Sequence, residues 1–181
     1  MIRLFIGNGY EILPMATKRS FTEDKIISID EIGNRVRSWR EESRKLVFTN
    51  GCFDILHSGH VRYLQTAAGF GDILILGLNS DTSVRKLKGS PRPIMTQNDR
   101  AYVLSAIEAI DCIVIFYEET PARLIQKVSP DVLVKGGDYL PGDVVGYDTV
   151  KKNGGCVKIV PYVEGKSTSG IVNSNFGTSH D

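Results

Sequence analysis

The sequence predicts an α/β fold: a single doubly wound parallel sheet of five strands with helices on both faces. The chain has 181 residues, 41% hydrophobic and 24% charged, which suits one soluble globular domain. Five short runs rich in Val, Ile and Leu alternate with segments of helical length and pattern. Strands that alternate with helices pair in parallel through right-handed crossovers, so the sheet is open and helices cover both faces.

Each apolar run is interpreted as a buried strand because it is short, continuous and rich in aliphatic residues. The five runs cover residues 46–49, 73–78, 112–116, 132–134 and 157–160. A helix precedes the first run, since Ser28 and Glu31 form a capping-box pattern and the apolar positions after them recur with helical spacing to about Ser43. Apolar stripes predict further helices between the strands, one of them starting near Thr120 and Pro121.

Charge and cysteine content exclude several classes of function. Lys plus Arg total 22 against 21 Asp plus Glu, a net charge of +1, so a general nucleic-acid binder is not expected. The three cysteines are widely spaced without a C-x-x-C pair, which favours a reducing compartment, and we expect the cytoplasm. No apolar run approaches the roughly 18 residues of a membrane span, and the patch at residues 4–6 is too short for a signal peptide.

Polar, charged and glycine-rich segments follow every predicted strand. They cover residues 50–60, 79–81, 117–119, 135–139 and 164–169. In a doubly wound sheet the carboxyl ends of the strands share one edge, and ligands bind there, where the strand order reverses. The sequence therefore predicts a ligand-binding edge before any family is considered.

Two histidines, His57 and His60, open the helix that follows the first strand. They share one helix face beside backbone N–H groups and the positive end of the helix dipole, which suits a phosphate. Gly59 removes a side chain that would keep a phosphate or ribose from the backbone, and Gly51 relaxes the preceding turn. The alternatives are a surface pair or a metal site with Cys52, and a metal cage is disfavoured because the usual second pair of ligands is absent.

The string from Thr49 to His60, Thr-Asn-Gly-Cys-Phe-Asp-Ile-Leu-His-Ser-Gly-His, resembles the signature of the cytidylyltransferase-like nucleotidyltransferases. Further matches narrow the resemblance to the heptose 1-phosphate adenylyltransferases of bacterial lipopolysaccharide synthesis, and they cover residues 77–81, 87–93, 131–139 and 165–169. The family has a Rossmann-like fold of the His-x-Gly-His type and often forms the second half of a bifunctional kinase and adenylyltransferase. The 44 residues before the match are too few for a sugar kinase, so the chain resembles the standalone form.

The resemblance implies transfer of AMP from ATP to D-glycero-D-manno-heptose 1-phosphate, with Mg²⁺ bridging the ATP phosphates and pyrophosphate as the second product. The sugar phosphate already carries an anionic oxygen, so in-line attack needs positioning and charge neutralisation rather than a general base. His57 and His60, with the helix amides, would stabilise charge at the α-phosphate. Asp54 would orient a histidine or a metal-bound group, and a buried Asp that caps the turn is the alternative.

Three cations are candidate phosphate ligands. Lys88 and Arg92 flank a glycine and prolines in a segment stiff enough to close over phosphates, and both match family positions. Arg100 lies in the first turn of a helix started by Thr96 and Asp99, with apolar residues at its i+3, i+4 and i+7 positions, so it faces inward at the positive end of the dipole. An anion is expected opposite Arg100, and extension of its stem over an apolar surface is the alternative.

Further candidates come from the edge segments. Lys135 would carry phosphate charge and Asp138 would bind sugar hydroxyls or a base amine, or the stretch is a plain glycine turn. Asn79 and Asp81 would contact the acceptor or cap the next helix. The stretch at residues 165–168 is not a P-loop, since the first glycine of that motif would fall at Val160. The resemblance implies instead a hydroxyl-rich turn that contacts phosphates as a helix begins.

Each candidate residue is expected to have one of three roles. We predict catalytic roles for His57, His60, Lys88 and Arg92. We predict nucleotide binding by Asn50, Gly51, Phe53, Gly59, Arg100, Lys135, Gly136, Gly137, Asp138, Ser167, Thr168 and Ser169. We predict binding of the acceptor by Asp54, Asn79 and Asp81, and we assign no metal ligand to protein side chains.

The domain plan follows from the extent of the match. We expect a mobile N-terminal extension at residues 1–27, the nucleotidyltransferase domain at 28–175 and a disordered tail at 176–181. A homodimer is compatible with the open edge strands and the short C-terminus. Two alternatives stay open: cytidylyl transfer to a small alcohol phosphate such as glycerol 3-phosphate, and a nucleotide-binding module without catalysis. The residues do not distinguish the anomer of the sugar phosphate, nor ATP from GTP.

Overall fold

The computed structural model describes residues 3–6, 9–12 and 22–161 of the chain. Its strands in chain order are β1 Arg3–Ile6, β2 Gly9–Ile12, β3 Ile26–Ile27, β4 Leu46–Gly51, β5 Ile73–Asn79, β6 Cys112–Phe116, β7 Val132–Gly136 and β8 Cys156–Val160. Its α-helices are α1 Ile32–Glu41, α2 Ser58–Ala68, α3 Asp81–Lys88, α4 Gln97–Ser105, α5 Ala122–Val128 and α6 Tyr147–Lys152. None of these helices has the length and apolar character needed to cross a bilayer.

The order of the strands confirms the doubly wound parallel sheet. Strands β3 to β8 form one sheet in the order β3-β6-β5-β4-β7-β8, and every neighbouring pair is parallel. The chain moves outward from β4 to β5 and β6, then crosses to β7 and continues to β8 on the other side. The order therefore reverses between β4 and β7, and the crevice at their carboxyl ends is where such sheets bind ligands.

The main sheet has six strands, so the predicted number of five was wrong by one. The additional strand, β3, is two residues long and pairs with Ile113 and Val114 of β6. Two residues are too few to produce a recognisable apolar pattern, so the sequence held no signal for this strand. Strands β1 and β2 form a separate antiparallel pair. All three lie within the stretch interpreted above as an N-terminal extension.

Helices pack on both faces because strand side chains alternate between two cores. On one face Phe48 and Ile75 join apolar residues of α1, α5 and α6, and on the other Val47 and Leu76 join residues of α2 and α4. These four side chains have no exposed surface, and burial of each contributes about 1.5 to 3 kcal/mol. The prediction of helices on both faces is confirmed.

Hydrogen bonds form at both predicted caps, but only the second marks the start of its helix, because α1 begins at Ile32 with Glu31 as N-cap and without a side-chain cap. The backbone N–H of Ser28 donates to Glu31 Oε2 at 2.9 Å, and that of Glu31 donates to Ser28 Oγ at 3.2 Å. At α4 the backbone N–H of Asp99 donates to Thr96 Oγ1 at 3.2 Å. The second cap determines where α4 begins, and it therefore places Arg100 in the first turn of that helix.

Candidate active site

A tight turn joins β4 to α2 and forms the floor of the crevice. A Cβ atom on Gly51 would lie 2.7 Å from the ring of Phe53, so the missing side chain makes room for that ring. Phe53 has a φ of 45°, a left-handed conformation that costs a non-glycine residue about 1 to 2 kcal/mol. With this backbone its ring is buried and lies 5.1 Å from the ring of His60. The left-handed backbone at Phe53 therefore places the Phe53 ring against the imidazole of His60.

His57 and His60 form a stacked pair at the amino end of α2. His57 is the N-cap residue, with extended backbone angles of −140° and 169°, and Gly59 lies between the two histidines in the first turn. The ring centroids are 3.8 Å apart and the ring planes are inclined by 25°. The helix dipole and the first-turn N–H groups favour an anion beside the two rings. The structure therefore brings the two imidazoles together where a phosphate would be stabilised.

His60 is neutral at pH 7 in the ligand-free chain. Burial, followed by the neighbouring charges of His57 and Lys88, lowers the pKa of His60 from 6.5 to about 4, and a weaker contact with the backbone of Ile55 opposes the shift. A neutral imidazole offers one N–H donor and one acceptor. An anion beside the ring would favour the charged form, so phosphate binding and protonation of His60 should be linked.

We expect a bound nucleotide to raise the pKa of His60 above the ligand-free value of about 4. The measurement is an NMR titration of the ring resonances with and without a non-hydrolysable ATP analogue. In the ligand-free chain the unfolded state takes up this proton first, so the free energy of unfolding should fall as the pH drops from about 6.5 to 4. An unchanged pKa in the nucleotide complex would contradict contact between His60 and phosphate.

Asp54 clamps the segment that carries Arg92 onto the turn. Its buried carboxylate accepts hydrogen bonds from Arg92 Nη1 at 2.6 Å, from the backbone N–H of Ile94 at 2.7 Å and from that of Met95 at 3.1 Å. Burial raises the pKa of Asp54, but these bonds outweigh it and hold the pKa below its ordinary value. Asp54 is therefore a positioning residue beneath the crevice, and its direct contact with a substrate stays a prediction.

Arg100 joins several segments from a position with no exposed side-chain surface. Nη1 donates to the carbonyl oxygens of Cys52 at 2.6 Å and Asn79 at 2.8 Å. Nε donates to the carbonyl of Met95 at 3.1 Å, and Nη2 donates to Asp81 Oδ1 at 2.7 Å. The carboxylate of Asp81 thus occupies the place where the sequence led us to expect an anion. Contact between Arg100 and a nucleotide stays a prediction.

Two lysines approach the crevice from opposite sides of β4. Lys88 ends α3 on the β5 side, and Lys135 lies in β7 with Nζ 3.5 Å from Asn50 Oδ1 and 5.9 Å from the centre of the Tyr139 ring. Burial lowers the pKa of Lys135. Burial raises the pKa of Cys52, and the charges of both lysines are among those that oppose this rise. Both lysine charges therefore act on Cys52, and neither lysine has a carboxylate partner within residues 22–161.

The other predicted residues lie around this centre or beyond the described part of the chain. Asn79 is buried, and its side-chain amide donates to Ser83 Oγ at 2.9 Å. Gly136 ends β7, and Gly137 follows it with a φ of 118°, which glycine adopts readily. Asp138 is exposed on the loop after β7. Outside the described residues lie Ser167, Thr168 and Ser169.

Two residues at this edge, Gln97 and Tyr117, were not among the predicted site residues. Gln97 Nε2 donates to the hydroxyl of Tyr117 at 3.2 Å, and Gln97 Oε1 accepts the backbone N–H of Asp81 at 3.0 Å. The available signal was the position of Tyr117, which directly follows an apolar run predicted to be a strand.

Comparison with known proteins identifies the family. The model of the cytidylyltransferase-like family matches residues 48–172, more than two thirds of the chain. The chain belongs to the cytidylyltransferase-like family. The matched range includes the crevice residues described above, from the turn after β4 to the loop after β7.

Curated relatives of the cytidylyltransferase-like chain are much longer than it is. The bifunctional protein HldE of Wolinella succinogenes is 57% identical over 151 residues, which are 83% of this chain and 31% of the relative. The bifunctional protein HldE of Geobacter metallireducens is 50% identical over 158 residues, 87% of this chain and 32% of the relative. The chain therefore spans about a third of the length of these relatives.

Two solved structures resemble the cytidylyltransferase-like fold described here. A lipopolysaccharide core biosynthesis protein from Thermoplasma volcanium is 26% identical with a TM-score of 0.56, and the match covers 68% of this chain and 99% of that one. The pantoate-beta-alanine ligase from Francisella tularensis, complexed with beta-gamma ATP and beta-alanine, is 14% identical with a TM-score of 0.57 over 85% of this chain and 73% of that one. The second likeness is one of fold alone.

Proposed function

We propose that this chain transfers AMP from ATP to D-glycero-D-manno-heptose 1-phosphate and releases pyrophosphate, forming an ADP-heptose for lipopolysaccharide core synthesis. Membership of the cytidylyltransferase-like family supports nucleotidyl transfer. Relatives that are 57% and 50% identical are named bifunctional protein HldE. A solved structure of similar fold is described as a lipopolysaccharide core biosynthesis protein, which supports the same context.

The stacked imidazole pair at the amino end of α2 carries the proposal. It lies at the switch point between β4 and β7, with Lys88 on one side and Lys135 on the other. Both reactants carry phosphate groups, so the site must attract several negative charges at once. A helix dipole, two imidazoles and two ammonium groups without carboxylate partners among the described residues suit such substrates.

The two sides of the crevice suit different parts of the reaction. On the β7 side, Gly136 is half-buried and has no side chain, so a flat base or ribose can approach the backbone there, with Lys135 close by. On the β5 side, Asp81 presents a partly exposed carboxylate that can accept hydrogen bonds from hydroxyl groups. We therefore assign the nucleoside to the β7 side and the acceptor to the β5 side, with the α-phosphate between them at the histidines.

The chemistry then needs no base and no covalent enzyme intermediate. An oxygen of the acceptor phosphate attacks the α-phosphorus, the bond to the β-phosphate oxygen breaks, and pyrophosphate leaves with that electron pair. His57 and His60 would donate hydrogen bonds to the α-phosphate oxygens, and Lys88 would neutralise charge that builds up beside His60. Arg92, held by Asp54, would close the segment after α3 over the phosphates.

Magnesium enters this proposal with the nucleotide, as MgATP. Within the described residues no three His, Cys, Asp or Glu side chains are grouped to hold a metal ion. In this proposal the cation arrives on the triphosphate and shields its charge.

A substrate panel tests the proposal. ATP, GTP and CTP would each be combined with both anomers of D-glycero-D-manno-heptose 1-phosphate and with glycerol 3-phosphate, and pyrophosphate release would be measured together with the mass of the product. We expect release with ATP and one heptose anomer, and a product mass equal to ADP-heptose. The control is the same panel without an acceptor, which separates transfer from hydrolysis of the nucleotide.

Two outcomes of the panel would contradict the proposal. Activity with CTP and glycerol 3-phosphate alone would make the chain a cytidylyltransferase, the alternative that the name of the family model favours. Nucleotide binding without release of pyrophosphate in any combination would make it a binding module without catalysis.

Cellular location and assembly belong to the same proposal. We infer a cytoplasmic enzyme, supported by Cys52, Cys112 and Cys156, which are all free thiols in the described part of the chain. A homodimer stays a prediction.

A further inference from the structure

Tyr117 is an exposed aromatic residue whose hydroxyl is held in place. It directly follows β6 at the edge of the sheet that carries the crevice, and 63% of its surface is exposed. Its hydroxyl accepts a hydrogen bond from Gln97 Nε2 at 3.2 Å, and Gln97 Oε1 accepts the backbone N–H of Asp81 at 3.0 Å. The exposed ring is therefore tied to the first residue of α3, on the β5 side of the crevice.

The backbone at Tyr117 also makes a hydrogen bond, to the neighbouring side chain of Glu118. Glu118 Oε2 accepts the backbone N–H of Tyr117 at 3.1 Å, while Glu118 Oε1 accepts a hydrogen bond from Arg123 at 3.2 Å. Glu119 pairs with Lys86 of α3 at 3.1 Å. Both ion pairs are exposed and contribute little to stability. The exposed ring of Tyr117 is available to meet a ligand.

The position of the Tyr117 ring after β6 favours the acceptor, rather than the nucleotide, as its ligand. Both must reach the amino end of α2 at once, and they cannot occupy the same side of the crevice. The glycine that ends β7 suits the nucleoside, which leaves the β5 and β6 side for the acceptor. On that side hydrogen bonds link the Tyr117 hydroxyl, the Gln97 amide and the backbone N–H of Asp81. The carboxylate of Asp81 accepts from Arg100 Nη2 and stays partly exposed. An aromatic face packs against the C–H groups of a sugar, while amide and carboxylate groups bind its hydroxyls.

We propose that Tyr117, held by Gln97, binds the sugar ring of the acceptor and selects sugar phosphates over smaller alcohol phosphates. This inference rests on the proposed function, since it concerns the acceptor of that same reaction. It adds a recognition surface on α4 and after β6 to a crevice otherwise built at the ends of β4, β5 and β7.

Tyr117→Ala tests the inference, with Tyr102→Ala as its matched control. Tyr102 is likewise exposed, at 55%, but it lies on α4 without a hydrogen bond from Gln97. We expect Tyr117→Ala to raise the KM for the sugar phosphate on the order of tenfold and to leave the KM for ATP within about twofold. Tyr117→Phe removes only the hydroxyl and should give a smaller rise. All three variants replace exposed side chains and should keep the wild-type melting temperature.

Direct binding gives a readout that does not depend on turnover. Calorimetric titration of sugar phosphate into the chain saturated with a non-hydrolysable ATP analogue should show weaker binding for Tyr117→Ala and unchanged binding for Tyr102→Ala. A rise in the KM for ATP instead, or equal behaviour of the two variants, would overturn the inference while the wild-type activity stands. If the wild-type chain transfers nucleotide to no sugar phosphate, the proposed function itself fails, and the inference fails with it.

Discussion

Replacing His57 or His60 with asparagine should lower kcat by about 10²- to 10⁴-fold and change the affinity for ATP by less than about fivefold. The two rings stack 3.8 Å apart at the amino end of α2, where charge would build up on the α-phosphate during transfer. Hydrogen bonds that strengthen only as this charge develops lower the barrier without tightening binding of the ground state.

Measurements of kcat, KM and equilibrium binding of an ATP analogue on the two variants would check this expectation. Ser58→Ala is the matched control, because Ser58 is exposed and opens the same helix without a ring in the pair. Equal losses of turnover and of affinity in the histidine variants would speak for a nucleotide-binding module rather than for an enzyme.

Arg100→Met should be the most destabilising single change in this part of the molecule. It removes the guanidinium that binds three carbonyl oxygens and the carboxylate of Asp81, and it leaves all four acceptors without that partner. Loss of one partner of a buried ion pair costs about 3 to 5 kcal/mol, which corresponds to a fall in melting temperature of roughly 10 °C for a domain of this size.

Urea unfolding and thermal melting would measure the effect, with Arg62→Met as the control. Arg62 is an exposed residue of α2, so its loss should change stability by less than about 0.5 kcal/mol. An Arg100→Met variant with wild-type stability but lost ATP binding would instead mean that Arg100 acts on the nucleotide, as the sequence argument predicted.

The strands of the main sheet could be predicted from the sequence because each buried strand needs a continuous apolar run. Strand β6 was predicted with the bounds it has, Cys112–Phe116, and β4, β5, β7 and β8 differ only at their ends. Strand β3 has two residues and leaves no such pattern. The pair β1 and β2 was also missed. Each of its strands has only four residues, which gives a short pattern. The dipeptide Gly7-Asn8, which separates the two strands in the sequence, is typical of a hairpin and was the available signal.

The polar contacts of the site were harder to predict than its position. That His57 and His60 lie close together follows from their separation by three positions at the start of α2, which is a local property, although His57 is the N-cap and not a helical residue. Asp54 and Arg92, however, are 38 positions apart, and Arg100 and Asp81 are 19 apart. A single sequence indicates that an inward cation needs an anion, but it does not say which carboxylate the folded chain brings to it.

The crevice also depends on parts of the chain that are made at very different times. Asn50 and Lys135, which meet at its two central strands, are 85 positions apart. A growing polypeptide that ends before β7 contains both histidines but lacks Lys135 and the β7 side of the crevice. Nucleotide should therefore associate with the finished molecule alone, and by mass action a concentration of 100 times the Kd would add about 2.7 kcal/mol to its resistance to unfolding. In a cell rich in nucleoside triphosphate, the substrate itself would then protect the completed protein.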